Sequence, residues 1–342
     1  MPKKALLVVL KTVLPLLLGI YLIWVFFSGM SNESKVLFYK AIREANYYWI
    51  ILSMVIGILA YLSRAYRWKF VLEPLGYSTQ FWNRYHAIMI GYIVNLTIPR
   101  AGEASRSAML YRSDGVPFSS SFGTIIAERA IDLVMLGLIA VTTVFIGHAD
   151  FFEIKALIFD EFGGANSSAQ SGFPLKIIVF SVMLAGGMAF TYLFMFRQSF
   201  RTKLIEFGKD VLKGLVSIFK SKKPGAYVLH TIFIWSCYIA MFALPFQSLH
   251  QTTDVSFPAI LLAFIAGSLG ITFTNGGIGT YPLLVGLVVA FYIGKKYPED
   301  SQAIGNALGM LIWVTQTLLM ILLGLISLVL LPKNYSKENE PS

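Results

Sequence analysis

Between residues 5 and 331 the chain passes through nine apolar runs, at 5–27, about 47–63, 85–98, 119–147, 173–196, 226–247, 258–274, 280–294 and 304–331. A helix needs about 20 apolar residues to cross hydrocarbon, because lipid offers its backbone no hydrogen-bonding partner. Several of these runs reach that length, which a water-soluble core does not require. Composition agrees. Of the 342 residues 56% are hydrophobic and only 13% are charged, where soluble chains carry about 25%. The length alone would suggest two or more soluble domains; the apolar runs instead predict an all-α integral membrane protein.

Loop charge predicts how the runs are threaded. The loop 148–172 holds Asp150, Glu153, Asp160 and Glu161 against Lys155, whereas the linker 197–223 holds eight Lys or Arg against Glu206 and Asp210. Basic loops stay on the cytoplasmic side, so the first loop is expected outside and the linker inside. Nine simple crossings would break that rule. It is restored if 85–112 dips in from the cytoplasm and returns, and if 258–294 does the same from outside. Both stretches are punctuated, at TIPRAGE by Pro99 and Gly102 and at TNGGIGTYP by Gly276, Gly277, Gly279 and Pro282. Pro lacks a backbone donor and Gly is a poor helix former, so helices are expected to break there.

The expected architecture is a polytopic helical bundle of about six full spans plus two broken or re-entrant hairpins. It forms one domain over 1–331, with inverted repeats at 1–147 and 173–331 and a short disordered tail, 332–342. Inverted repeats with interrupted helices point to a transporter site near the bilayer midplane. The second span is expected to end near Ser63, with Arg64, Arg67 and Lys69 as a basic cluster and Trp68 as an interfacial ring. Within the linker, LIEFGKDVLKGLVSIF reads either as an amphipathic helix on the inner leaflet or as a solvated connection. The net charge of +10 fits loops facing anionic lipid and gives no reason to invoke nucleic acid.

Three constellations could carry chemistry. In IPRAGEASR, Glu103 and Arg106 stand i, i+3 on a helix that follows the Gly102 break, and Arg100 precedes it. A helix N-terminus with arginines suits a phosphate; an Arg–Glu pair snorkelling at the membrane edge is the plainer alternative. In IIAERAIDLVMLG, Glu128, Arg129 and Asp132 lie well inside a span, where ionisable groups are costly and mark a pathway. Glu128 and Asp132 share a helical face, and Arg129 reaches Asp132. Two acids against one base leave that trio short of positive charge, so a cation, proton or head group is expected beside it. A structural ion pair between helices is the alternative. In FTNGGIGTY, Asn275, Gly276, Gly277 and Gly279 allow close backbone approach to a ligand, or tight packing around a kink. Gly305 and Gly309 form a GxxxG packing seam. Cys237 reads as a small buried hydrophobe. His86, His148, His230 and His250 have no metal-ligand spacing, no metal or cofactor is expected, and no nucleophile motif is present.

The sequences NLTIPRAGEASR (95–106), AERAID (127–132) and NGGIG (275–279), in this order and spacing, resemble the flippase-like family that includes the transmembrane region of lysylphosphatidylglycerol synthase. The resemblance runs over about 10–331 and implies a domain that moves lipids across the bilayer. The family pattern has Pro before GG-x-G and Glu shortly after; Asn275 and Pro282 stand at those places here, so a role for that acid does not carry over. In the synthases the domain is joined to a soluble aminoacyl-transfer domain; these 342 residues hold none and are not expected to make lysyl-lipid alone. The leading expectation is a lipid translocase of the cytoplasmic membrane, both termini cytoplasmic, acting on an anionic phospholipid or lipid-linked substrate. Arg100 and Arg106 would hold its phosphate, Glu128 and Asp132 a cationic or hydroxylated head group or a proton, and Glu128→Gln or Arg106→Ala would abolish transport while leaving folding intact. A membrane-embedded enzyme with Glu128 or Asp132 as general base, and a scaffold for a partner synthase, are the alternatives. Oligomeric state is not legible.

Overall fold

A computed structural model of the chain describes residues 32–98, 101–146, 209, 221, 223–273, 275–277 and 279–331. The expected spans 5–27 and 173–196, the loop 148–172, most of the linker, the tail, and Pro99 and Arg100 lie outside the described residues. Every described element is helical: α1 (Asn32–Glu44), α2 (Tyr47–Leu72), α3 (Phe81–Thr97), α4 (Gly102–Asp114), α5 (Phe118–Ile146), α6 (Pro224–Ala243), α7 (Phe257–Phe273), α8 (Thr280–Ile293) and α9 (Ser301–Leu330), with short 3-10 turns between.

Four helices among the described residues are long and apolar enough to span a bilayer, running Tyr47–Leu75, Phe118–Ile146, Pro224–Gln247 and Ser301–Leu330. Their boundaries follow local chemistry. Asn46 caps α2, its side chain accepting the Tyr48 N–H at 3.1 Å and so satisfying a donor that has no partner within the helix. Gly115 ends α4 in the left-handed region, φ 71°, where a Cβ would be strained. The helix α1, which the hydropathy reading did not pick out, sets Phe38 and Ala41 into a core cluster with Phe242, Phe246 and Leu249.

The two short helix pairs are hairpins. The α3–α4 pair leaves and regains the same end of the bundle, where the Gln80 N–H donates to Asp114 Oδ1 at 3.0 Å. The α7–α8 pair is closed at its base by Lys296 Nζ and Asp254 Oδ2, 2.8 Å apart; that hydrogen bond holds the exposed Asp254 carboxyl below its ordinary range. The two bases lie at opposite ends. The first is beside Glu73 and Gly76, beyond the end of α2. The second follows Ser248, whose carbonyl accepts the Asn46 N–H at the start of α2. The tips meet inside: a Cβ added at Gly276 would lie 2.8 Å from Leu96 of α3.

The breaks differ in one respect from expectation. Helix α4 begins at Gly102 as expected, but Pro282 does not break the second hairpin. It lies in the first turn of α8, where its missing N–H leaves no bond unmade and its fixed φ suits the helix. The turn is made instead by Gly276, Gly277 and Gly279, with φ 63°, 75° and 76°. Trp313 Nε1 donates to the Gly276 carbonyl at 2.8 Å, and Thr280 Oγ1 donates to that of Gly270 at 2.8 Å.

The α8–α9 seam is built from small residues. A Cβ at Gly309 would lie 3.0 Å from Cα of Pro282, and one at Gly305 would lie 3.2 Å from the Ala290 nitrogen. Cys237 is buried, as its apolar setting suggests.

Candidate functional site

The sequence places Glu128 ten residues into α5, about 15 Å along the axis at about 1.5 Å per residue. That depth calls for partners, and the fold brings them from two neighbouring helices. On α4, Arg106 donates to both oxygens of Glu128, Nη1 to Oε2 at 2.8 Å and Nη2 to Oε1 at 3.3 Å. On α2, Arg64 Nη2 donates to Asp132 Oδ2 at 2.8 Å and lies 3.7 Å from Glu128. Arg67 Nη2 lies 3.6 Å from Asp132 and 4.0 Å from Glu128. Glu128 and Asp132, one turn apart on α5, face α2 together, as i, i+4 spacing requires.

Arg129 extends the set outward. Its Nη1 lies 3.6 Å from Asp132 Oδ2 and its Nε 3.5 Å from Glu103 Oε1. Glu103 and Arg106 stand one turn apart on α4, yet they reach different partners on α5. Charges of alternating sign therefore run in a chain, Glu103, Arg129, Asp132, the Arg64–Arg67 pair, Glu128, Arg106, whose two ends stand one turn apart on α4, so that the helix itself completes a ring. Four guanidiniums stand against three carboxylates among the described residues. The shortage of positive charge expected from the ERAID trio is thus reversed, because α2 and α4 supply three arginines that the trio's own helix could not reveal.

Hydrogen-bonding side chains support this ring. Arg64 Nη1 donates to Tyr238 Oη at 3.1 Å and Arg67 Nη1 to Thr231 Oγ1 at 2.9 Å, both on α6. Trp68 lies flat beneath Arg106, whose guanidinium carbon is 3.6 Å from the ring centroid, a cation–π arrangement. Its indole N–H donates to Thr124 Oγ1 at 2.9 Å.

Burial is graded. Glu128 and Arg67 are fully buried, Asp132 keeps 13% of its side chain accessible, and Arg129 keeps 44%. A narrow crevice between α3, α4 and α5, lined by Tyr92, Asn95, Glu103, Arg106 and Arg129 among others, leads to the ring. Close backbone approach shapes its wall: a Cβ at Gly91 would lie 2.9 Å from the Gly102 carbonyl oxygen. Asn95 Oδ1 takes the Gly102 N–H at 2.7 Å, so one donor at the start of α4 is already used.

Several guanidinium donors stay unused. Arg64 Nε, Arg67 Nε and Nη2, and Arg106 Nε are buried without a hydrogen-bond partner among the described residues, and so is Asp132 Oδ1. Buried polar atoms are rarely left so, and guanidinium N–H groups suit an oxyanion.

The structure thus joins Glu103, Arg106, Glu128, Arg129 and Asp132 in one site. Asn275, Gly276, Gly277 and Gly279 form the tip of the second hairpin, and Gly276 packs on Leu96, the neighbour of Asn95. Arg100 lies outside the described residues. Arg64, Arg67 and Trp68 are the residues the sequence reading set at the interface. Helix α2 does not end at Ser63 but runs on to Leu72, so all three are enclosed, with Arg67 and Trp68 at 0% exposure. The expectation that Glu128→Gln would leave folding intact changes with this geometry, since it would strip a buried guanidinium of its counter-charge.

Comparison with known proteins bears on the same helices. A stretch of 96 residues is 31% identical to a UPF0104 membrane protein of Methanocaldococcus jannaschii, covering 27% of this chain and 29% of that protein. A UPF0104 membrane protein of Methanothermobacter thermautotrophicus is 21% identical over 324 residues, 79% of this chain and 89% of its own length. No solved structure matches. The family described as the lysylphosphatidylglycerol synthase TM region matches residues 12–295, a span that holds both hairpins and the whole charged ring, and the chain belongs to that family.

Proposed function

We propose that this protein is a lipid translocase that passes the polar head group of a membrane lipid beside the charged ring while the acyl chains stay in the bilayer. The observation that carries the reading is the ring itself, deep in an apolar bundle and open at the Arg129–Glu103 edge. Ionised side chains at such depth are costly, and a route for a hydrated or charged group is the commonest reason they are kept. Two interrupted helix pairs meeting tip to tip add support, since broken helices converging from opposite ends frame transporter sites.

The end carrying Lys69, Arg112 and Lys223 is taken as cytoplasmic on the positive-inside rule, with both termini on that side and the protein in the cytoplasmic membrane. On this reading the chain moves lipid and does not alter it. The test uses purified protein in vesicles carrying a fluorescent lipid and an impermeant quencher. Quenching should pass beyond the outer-leaflet fraction when protein is present; a signal equal to that of protein-free vesicles removes the reading. Lipid extracted afterwards should keep its mass. A new lipid species would instead favour a membrane-embedded enzyme.

A further inference from the structure

We infer that the ring selects a head group of net negative charge, a phosphodiester monoanion with no cation attached, received by Arg64 and Arg67 in exchange for Asp132. As a substrate assignment for the proposed translocase it rests on that reading, although the binding it describes can be measured without transport. Charge is the first argument. Arg64, Arg67, Arg106 and Arg129 face Glu103, Glu128 and Asp132, so one negative charge neutralises the set, whereas a cationic head group would add to its excess.

Unused donors are the second. Arg67 Nε and Nη2 and Arg64 Nε, all buried and without a hydrogen-bond partner among the described residues, offer the N–H groups that phosphate oxygens accept, in the fork geometry that suits them. The groups facing them from α6 are Thr231, Tyr227 and Tyr238, hydroxyl-bearing side chains that add no negative charge.

The route follows from the gradient of exposure. Arg129 is the accessible cation, and its neighbour Asp132 has a buried oxygen, Oδ1, without a hydrogen-bond partner among the described residues. An anion drawn first to Arg129 meets Asp132 next. As Asp132 yields Arg64, the anion takes its place. Glu128 does not yield, being held by both Nη atoms of Arg106 above Trp68. Asp132 is therefore the exchanging carboxylate and Glu128 the fixed one.

The test is native mass spectrometry of the purified full chain in neutral detergent, with phosphatidylglycerol, phosphatidylcholine, a trimethylammonium lipid, and soluble glycerophosphoglycerol as probes. Phosphatidylglycerol should be retained at least about tenfold better than the zwitterionic and cationic lipids, the scale of one charge-assisted hydrogen bond. Glycerophosphoglycerol should be retained weakly; binding equal to the lipid's keeps the anion chemistry but overturns the bilayer as its source. Arg67→Met should remove the preference. Asp132→Asn should raise phosphatidylglycerol retention, because it removes the competitor, an effect that a purely structural ion pair would not produce. Equal retention of all three lipids, or a preference unchanged in Arg67→Met, overturns the assignment even if Asp132→Asn does not fold. Selective binding in a protein that moves no lipid in vesicles would leave this assignment standing and remove the translocase reading; lipid movement without selectivity would do the reverse.

Discussion

Arg106 holds Glu128 by two parallel hydrogen bonds while its flat face rests on Trp68, 3.6 Å away, so a single guanidinium ties α4 to α5 and to α2. Removing one partner of a buried pair costs about 3–5 kcal/mol. Glu128→Gln should therefore lower the melting temperature in detergent sharply, and Arg106→Lys should do so too, because a lysine can neither fork nor stack in the same way. The double variant Arg106→Met/Glu128→Gln should regain part of the loss. Thermal unfolding of the three variants checks this, and additive losses would contradict the pairing.

Trp68→Phe keeps an aromatic face but loses the indole donor to Thr124. The expected cost is about 1–2 kcal/mol, from one buried hydrogen bond and a weakened cation–π contact. Thr124→Val should cost a similar amount, and the two changes together little more than either alone. A double-mutant cycle on thermal stability measures that coupling.

The α8–α9 seam predicts a contrast between glycines. Gly309→Val would press on the Pro282 backbone, where a first carbon already lies 3.0 Å from Cα; overpacking of this kind costs about 1–3 kcal/mol or more. Gly137→Ala, with nothing within 4 Å of the added carbon, should stay within about 0.5 kcal/mol of the parent. Equal stability of the two variants would mean that α8 and α9 do not pack as described.

Hairpin return is testable by labelling single cysteines placed at exposed loop positions on a Cys237→Ser background. Labels near Ser78 and Asp114 should report one side of the membrane, and labels at Asp254 and Lys296 the other. Asp254→Asn should leave the melting temperature unchanged, since an exposed ion pair contributes little. Finding Asp114 and Asp254 on the same side would break the opposed-hairpin arrangement.

Most of the helices could be read from hydropathy because runs such as 119–147 and 304–331 have the length that hydrocarbon dictates, and they became α5 and α9 nearly end to end. The hairpin returns were legible from loop charge. Arg64 and Arg67 were not, since the positive-inside rule treats arginines after an apolar run as its end. A signal was nevertheless present. Ending α2 at Ser63 leaves 17 residues, short of the about 20 a span needs, while Phe70, Val71 and Leu72 continue the run up to Pro74 and Gly76. Arg64, Arg67 and Trp68 also stand at i, i+3 and i+4, on one face. Their partners Thr231 and Tyr238 lie more than 160 residues away in sequence, and no local pattern joins them. The role of Pro282 was misread because a proline beside glycines looks like a break, although the first turn of a helix is where its ring fits.

Both terminal links of the ring are carried by α4, an acid and a base three residues apart. Sliding that helix by one turn would bring Glu103 toward Glu128, or Arg106 toward Arg129, setting like charges face to face. Apolar contacts between membrane helices tolerate such slippage, because one Leu serves much like the next. Here electrostatic repulsion acts as a ratchet, and the tip of the first hairpin is kept at a single depth without any covalent tie.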